Sequence, residues 1–188
     1  MSPPTLIPQL ADPAEAATAV DVHLASMLRG GAPELVGWDR PDPLSLYVPL
    51  RGFTAGTDAC SYGFDPAAAH IAPYPQLPPG DDYLLRLYFS HYPQSPASAQ
   101  FVNPATRRFD PATDLSWLPN IQGATEVFVH PSYNMGGQLI CCSATLEFYL
   151  VNHDVEPKHQ WTPGSSFAQL LNTLSRYLRP DTYQGRQG

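Results

Sequence analysis

The stretch "DDYLLRLYF" (Asp81–Phe89) decides the fold class that the sequence predicts. Apolar and aromatic side chains alternate along it, as in a β-strand that buries one face, and they are Tyr83, Leu85, Leu87 and Phe89. A second alternating stretch, "PLSLYVPLRGF" (43–53), precedes it, and "HYPQSPASAQFV" (91–102) breaks the strand at two prolines before resuming it near Phe101. We therefore predict three or four consecutive strands that pair as an antiparallel meander.

An amphipathic helix is predicted at each end of this meander. Over 13–29, Asp12 can cap the helix and Gly30 can end it. Its apolar face would hold Val20, Leu24, Met27 and Leu28. Over 166–178 the apolar stripe is Phe167, Leu170, Leu171, Leu174 and Leu178. The predicted fold class is α+β, with an antiparallel sheet of about four strands between an N-terminal and a C-terminal helix.

The remaining segments set the predicted domain limits. The length suits a single domain over 13–183, with a flexible N-terminus at 1–12 and a flexible tail at 184–188. Asn-Pro, Asp-Pro and Pro-Asn pairs punctuate 103–125, so this segment is predicted to be an irregular loop that carries little of the core. A short strand is expected around Cys60.

Composition excludes several classes of function. The chain of 188 residues has a net charge of −7, and its pI is near 5.1. This balance argues against nucleic acid or an anionic membrane as a partner. The sequence has no apolar run of the ~20 residues that a membrane span needs, and its start lacks the pattern of a signal peptide. Its three cysteines do not make a disulfide framework, so we expect a cytoplasmic protein with reduced thiols.

The stretch "HPSYNMGGQLICC" (130–142) carries the chemistry. It reads as a turn, a pair of glycines and a strand that ends in two adjacent cysteines. A cysteine at a strand end is by default a small buried hydrophobe, whereas a thiolate that a partner can reach is a nucleophile. In an extended segment, Cys141 and Cys142 point to opposite sides, and core filler is the expectation for Cys142.

Three blocks together resemble ubiquitin-conjugating (E2) enzymes. The blocks are "DYLLRLYFSHYPQSPASAQF" (82–101), "HPSYNMGGQLIC" (130–141) and "WTPGSSFAQLLNTLSRYLRP" (161–180). They are similar, in the same order, to the family's strand with its Tyr-Pro turn, its His-Pro-Asn to Ile-Cys active-site signature, and its Trp-Ser-Pro turn with the following helix. The resemblance implies the UBC fold, here without the family's last two helices.

The resemblance also implies an acyl-transfer activity. In the family, a cysteine accepts the C-terminus of a ubiquitin-like protein from an E1-like activating enzyme as a thioester, without a cofactor or metal. It then passes the acyl group to an amine, usually a lysine of a protein substrate. Cys141 matches that cysteine because it follows Ile140. The chain is similar to bacterial members that are encoded with their own ubiquitin-like protein, some of which act in antiviral defence.

Supporting roles follow for residues near this cysteine. The intermediate of transthiolation needs a neutral donor for its oxyanion, and Asn134 is the candidate in the turn. Gly137, with Gly136, would allow close approach of the tail of the ubiquitin-like protein. The remaining supporting residues, which the resemblance implies, are His130 and Pro131 shaping the turn, Trp161 and Pro163 holding the loop, and Asp181 near a gate position. The sequence departs from the pattern at Ser132, which stands in place of the motif's Asn, and in an insertion over 143–160.

Three other functions are compatible with these residues. A catalytically inactive E2-variant or RWD-like scaffold would have the same fold. A zinc site could combine Cys141 or Cys142 with histidines, although adjacent cysteines suit tetrahedral coordination poorly, and the candidate histidines are His130, His153 and His159. A thiol hydrolase would need a histidine close to the thiol and an acyl-enzyme that water attacks. His153 and His159 otherwise read as loop residues, with activation of the incoming amine as the alternative.

Overall fold

The computed structural model describes residues 8–32, 37–53, 80–123, 127–133, 137–151 and 159–188. Within these ranges the helices are α1 (Pro13–Arg29), α2 (Leu146–Leu150) and α3 (Ala168–Tyr177). The strands are β1 (Asp39–Asp42), β2 (Ser45–Gly52), β3 (Asp81–Tyr88), β4 (Ser98–Val102), β5 (Pro119–Ile121), β6 (Phe128–His130), β7 (Leu139–Cys141) and β8 (Tyr183–Arg186). The predicted α+β class is confirmed.

The main sheet has four antiparallel strands in the order β1-β2-β3-β4. In its register Leu46 lies opposite Leu87, and Leu85 lies opposite Phe101. Because side chains alternate across a strand, these pairs share one face, and all four residues are fully buried. The alternation in the sequence therefore identified both the strands and the face that they bury.

Both long helices contribute their apolar stripes to the core. The Asp12 carboxylate accepts hydrogen bonds from the backbone N–H groups of Ala14 and Glu15 at 2.9 and 3.2 Å, which confirms the predicted cap of α1. Every residue of the stripe predicted for 166–178 is buried. The prediction is wrong for Leu28, which is 49% exposed. Leu28 lies about 80° from Val20 around the helix axis, outside the arc that faces the sheet.

Residues 103–125 differ from the predicted irregular loop. β5 lies within this segment and pairs antiparallel with β8, and both Leu118 and Ile121 are buried in the core. The prediction that the segment carries little of the core is therefore wrong. β5 has only three residues, and two of them are the proline and asparagine of a turn signal, so it shows no alternation. Its partner strand, β8, lies more than sixty residues further along the chain.

The predicted flexible tail at 184–188 is also wrong, since Gln184–Arg186 belong to β8. The Arg186 guanidinium donates to the Asp81 carboxylate at 2.9 Å, and the Tyr183 hydroxyl donates to the same carboxylate at 2.5 Å. Burial raises the pKa of Tyr83, whose hydroxyl lies 2.5 Å from that of Tyr183, to about 12. This polar cluster fixes β8 against the end of β3.

Some predictions fall on other parts of the chain. The strand expected around Cys60 and residues 1–7 of the predicted N-terminus lie outside the described residues. Nearer α1, the Ala11 N–H donates to the carbonyl of Ser90 at 2.9 Å, so this part of the predicted flexible terminus is held. In the described part of the chain, no helix combines the length and apolar character needed to cross a membrane.

Candidate active site

The cysteine motif folds as a hairpin of β6 and β7. Val129 pairs with Ile140, and His130 pairs with Leu139. In the turn between the two strands, the Tyr133 N–H donates to the carbonyl of Gly137 at 3.0 Å, which keeps residues 133 and 137 close together. The hairpin brings the predicted residues His130, Pro131, Gly137 and Cys141 into one unit. Asn134, the predicted oxyanion donor, lies outside the described residues.

The two cysteines occupy different environments. Cys141 is partly exposed, and Cys142 is 8% exposed and belongs to the core cluster. Cys141 lies directly opposite Phe128, and residues opposite one another in an antiparallel pair share a face. Phe128 is 43% exposed, whereas Leu139 on the same face is buried and Cys141 packs partly against the core, so the face reaches solvent only at the Phe128–Cys141 end. The catalytic role of Cys141 stays a prediction.

The electrostatic environment of Cys141 favours the neutral thiol. Partial burial raises the pKa of the Cys141 thiol, because the thiolate is less well solvated there than in water. The nucleophilic form is therefore a minor species at neutral pH. Any reaction at this sulfur would require capture of the thiolate that forms or removal of the thiol proton.

His130 lies in a row of aromatic side chains along the hairpin. Its ring centroid is 5.4 Å from that of Tyr133 and 6.4 Å from that of Phe128. The side chain is partly buried. These are ring contacts, and the role predicted for His130, shaping the turn by hydrogen bonding, stays a prediction.

The segment after the cysteines is held by two side chains that the sequence analysis did not identify. The Thr145 hydroxyl lies 2.9 Å from the carbonyl oxygens of both Ile140 and Cys142, and it can donate to either. The Tyr149 hydroxyl donates to the carbonyl of Ser143 at 3.0 Å and accepts from the Trp161 N–H at 2.8 Å. Part of the predicted insertion over 143–160 thus fixes the backbone next to the thiol.

Trp161 connects this segment to the Tyr92-Pro93 turn. Its indole N–H donates to the carbonyl of Pro93 at 2.8 Å, and its ring centroid is 5.9 Å from that of Tyr92. Tyr92 also contacts Phe89 and Phe167, at centroid distances of 5.2 and 6.2 Å. Burial raises the pKa of Tyr92 to about 12, and its hydroxyl is hydrogen-bonded to His23 of α1. The first and third sequence blocks, 82–101 and 161–180, therefore meet in one aromatic cluster.

Two further polar side chains, one just before β7 and one in α2, form hydrogen bonds with β4. Gln138 is 3% exposed, and its amide binds both the N–H and the carbonyl of Phe101. The Glu147 carboxylate accepts from the Ser98 hydroxyl at 2.5 Å and from the Ala99 N–H at 3.2 Å. Burial raises the pKa of the Glu147 carboxyl. The "GGQLICC" and "SATLEFYL" sequences show no periodicity that would have identified either anchor.

The remaining predicted site residues are less constrained. Pro163 and His159 are exposed beside the buried Trp161, and Gly137 is exposed with no atom within 4 Å of an added Cβ. Asp181 lies exposed in the turn between α3 and β8, on a different element from the hairpin. His153 lies outside the described residues.

The zinc alternative gains no support from the described part of the chain. There, no three His, Cys, Asp or Glu side chains gather in a group that could hold a metal ion. Comparisons of the chain with protein-family models, with curated proteins and with solved structures give no match.

Proposed function

We propose that the chain has the UBC fold and acts as an E2-like carrier. The Cys141 thiolate attacks the thioester carbonyl that joins an E1-like enzyme to a ubiquitin-like protein, and the E1 thiolate leaves. An amine of a protein substrate then attacks the new thioester, releases the Cys141 thiolate and loses a proton to form an amide. The bacterial antiviral setting that the sequence suggests is part of this proposal.

One observation carries the proposal: the first sequence block bonds to each of the other two. Gln138 of the cysteine block bonds to Phe101, and Trp161 of the third block bonds to Pro93. Their contact supports a shared architecture.

The environment of the thiol suits a carrier. Cys141 is partly exposed on a face that it shares with Phe128, and a carrier thiol must be within reach of two proteins in turn. Its raised pKa makes the thiolate a poorer leaving group, which slows attack by water and by an amine alike. The exposed position of the thiol, and not its pKa, therefore favours a carrier.

An adduct assay tests the proposal. The purified chain is incubated with ATP, an E1-like enzyme and the ubiquitin-like protein that this enzyme activates, taken from the genes that flank the gene of the chain, and is then analysed with and without a thiol reductant. A carrier forms an adduct that the thiol removes. Release of the free ubiquitin-like protein with no stable adduct indicates a hydrolase, and neither product indicates a scaffold.

A scaffold of the same fold is the second candidate, and the burial that raises the Cys141 pKa favours it. A scaffold does not need a reactive thiol. Cys141→Ala would then leave the binding of the chain to its partners unchanged. The adduct assay would give no product with the wild type or with the variant.

A further inference from the structure

Two glutamine side chains join the cysteine hairpin to the strands on either side of it. On one side, the Gln138 Oε1 accepts from the Phe101 N–H at 2.7 Å, and the Gln138 Nε2 donates to the Phe101 carbonyl at 2.9 Å. On the other side, the Gln187 Nε2 donates to the carbonyls of Val129 at 2.8 Å and Pro119 at 3.0 Å. Each glutamine thus bridges elements that belong to different sheets.

A glutamine amide can replace one rung of a β-ladder. Like a peptide group, it offers a donor and an acceptor, and Gln138 uses both on a single residue of β4. In the main sheet, by contrast, β2 and β3 pair continuously over eight residues, and β3 and β4 over five. The hairpin is instead held by the burial of Val129 and Ile140 in the core and, at its edges, by a few side-chain bonds, so losing one of these bonds loosens that edge.

We propose that Gln138 and Gln187 are positioning residues for the Cys141 thiol. They hold β7 against β4, and β6 against β5, so that the thiol keeps one depth and one orientation. The proposal deepens the proposed function and rests on it only for the statement that the positioned thiol carries an acyl group. Its first test therefore measures the thiol itself and needs no partner protein.

The first test compares alkylation of Cys141 by iodoacetamide in the wild type and in Gln138→Ala, with peptide mass spectrometry to separate Cys141 from Cys142. We expect Cys141 to react on the order of ten-fold faster in the variant, because losing a buried hydrogen-bonded pair shifts a local opening equilibrium by about that factor. Gln169→Ala, at an exposed position of α3, is the matched control and should react as the wild type does. An unchanged Cys141 rate in a folded but less stable Gln138→Ala protein would overturn the proposal, since Gln138 would then be merely structural.

Gln138→Glu provides a second test, in which the side chain keeps its size and only its hydrogen-bonding groups change. An ionised carboxylate can accept from the Phe101 N–H but is repelled by the Phe101 carbonyl, whereas a protonated carboxyl can donate to that carbonyl. Burial raises the carboxyl pKa above its ordinary value of about 4.3, so lowering the pH should restore the wild-type contacts. With 2,2′-dithiodipyridine, which also reacts with thiols in acid, Cys141 should react faster than wild type at neutral pH and equally fast in acid. The same excess rate at both pH values would contradict the proposal.

Gln187 should show the same effect more weakly, because it is partly exposed and water can replace its bonds. In the adduct assay, Gln138→Ala should still load Cys141 but should transfer the acyl group several-fold more slowly. A wild-type chain that forms no adduct would refute the proposed function alone. The alkylation rates would still decide whether the two glutamines position the thiol.

Discussion

The four-stranded sheet and the cysteine hairpin are built from the same kind of strand but are held in different ways. Backbone ladders fix the sheet, and its paired side chains, such as Leu46 and Leu87, are fully buried. Short backbone pairing forms the hairpin, and glutamine side chains attach it to its neighbours. The sheet is therefore fixed mainly by backbone pairing along its strands, whereas the hairpin depends on side chains at its edges and on the burial of Val129 and Ile140, and it leaves Cys141 partly exposed.

The largest effect should come from the core that both regions share. We expect Leu87→Ala in the sheet and Leu118→Ala beside β5 each to lower the free energy of unfolding by about 2–5 kcal/mol, because both side chains are fully buried. Urea unfolding monitored by circular dichroism measures this loss. Leu10→Ala is the control, since Leu10 is 76% exposed and its loss should change little. If Leu118→Ala lowers the free energy of unfolding no more than Leu10→Ala does, the 103–125 segment carries little of the core, as the sequence predicted.

The position of Leu118 also marks the limit of sequence-based inference about the fold. Alternation identified the strands at 43–53 and 81–89, and capping and periodicity identified α1 and α3, because these signals are local. β5 and β8 are three and four residues long and pair across some sixty positions, so neither has a readable period. Long-range pairing of short strands was therefore missed.

The next prediction contrasts two glycines, one in each region. An added Cβ at Gly52 of β2 would lie 2.5 Å from the Tyr183 ring, whereas one at Gly137 would meet no atom within 4 Å. We expect Gly52→Ala to lower the free energy of unfolding by about 1–3 kcal/mol, as overpacking typically does. Gly137→Ala should leave stability unchanged. Equal denaturation midpoints for Gly52→Ala and the wild type would contradict the close packing of β8 on the sheet.

A smaller effect is expected at the contact between the sheet and the hairpin segment. Trp161→Phe keeps an aromatic ring but removes the indole N–H that bonds to the carbonyl of Pro93. We expect a loss of about 1 kcal/mol, because a partly buried carbonyl would be left without its donor. Thermal unfolding monitored by calorimetry would detect this loss, and an unchanged transition would mean that the bond from the indole N–H to Pro93 does not stabilise the fold.

The smallest change is a pH dependence and requires no mutation. Because burial raises the pKa of Cys141, the thiolate fraction should still increase about ten-fold per pH unit beyond the ordinary thiol pKa of about 8.5. The rate of Cys141 alkylation by iodoacetamide should follow that increase. In urea, where the thiol is solvated, the rate should level off near the ordinary pKa. A plateau in the folded protein at or below that pH would mean that the thiol is not desolvated.

The sequence predicted which residues lie together in the candidate site, but it did not predict the side chains that anchor them to the rest of the fold. The hairpin joins His130, Gly137 and Cys141, since they lie in one continuous stretch with turn and strand signals. Gln138 and Tyr149 were missed because a polar residue within a strand or an insertion has no pattern that reveals its partner. Only the three-dimensional structure brings Gln138 to β4 and Tyr149 to Trp161.

The central claim is that the Cys141 sulfur carries the acyl group, and Cys141→Ser tests it most directly. An alkoxide is a poorer leaving group than a thiolate, so this variant should trap the ubiquitin-like protein as an oxyester that resists thiols and is cleaved by hydroxylamine. Cys142→Ser, at the buried neighbouring position, should still form the thiol-labile adduct of the wild type. The measurement is the mass of the linked peptide after tryptic digestion. An adduct of Cys141→Ser that thiols still remove would place the acyl group on another cysteine and contradict the claim.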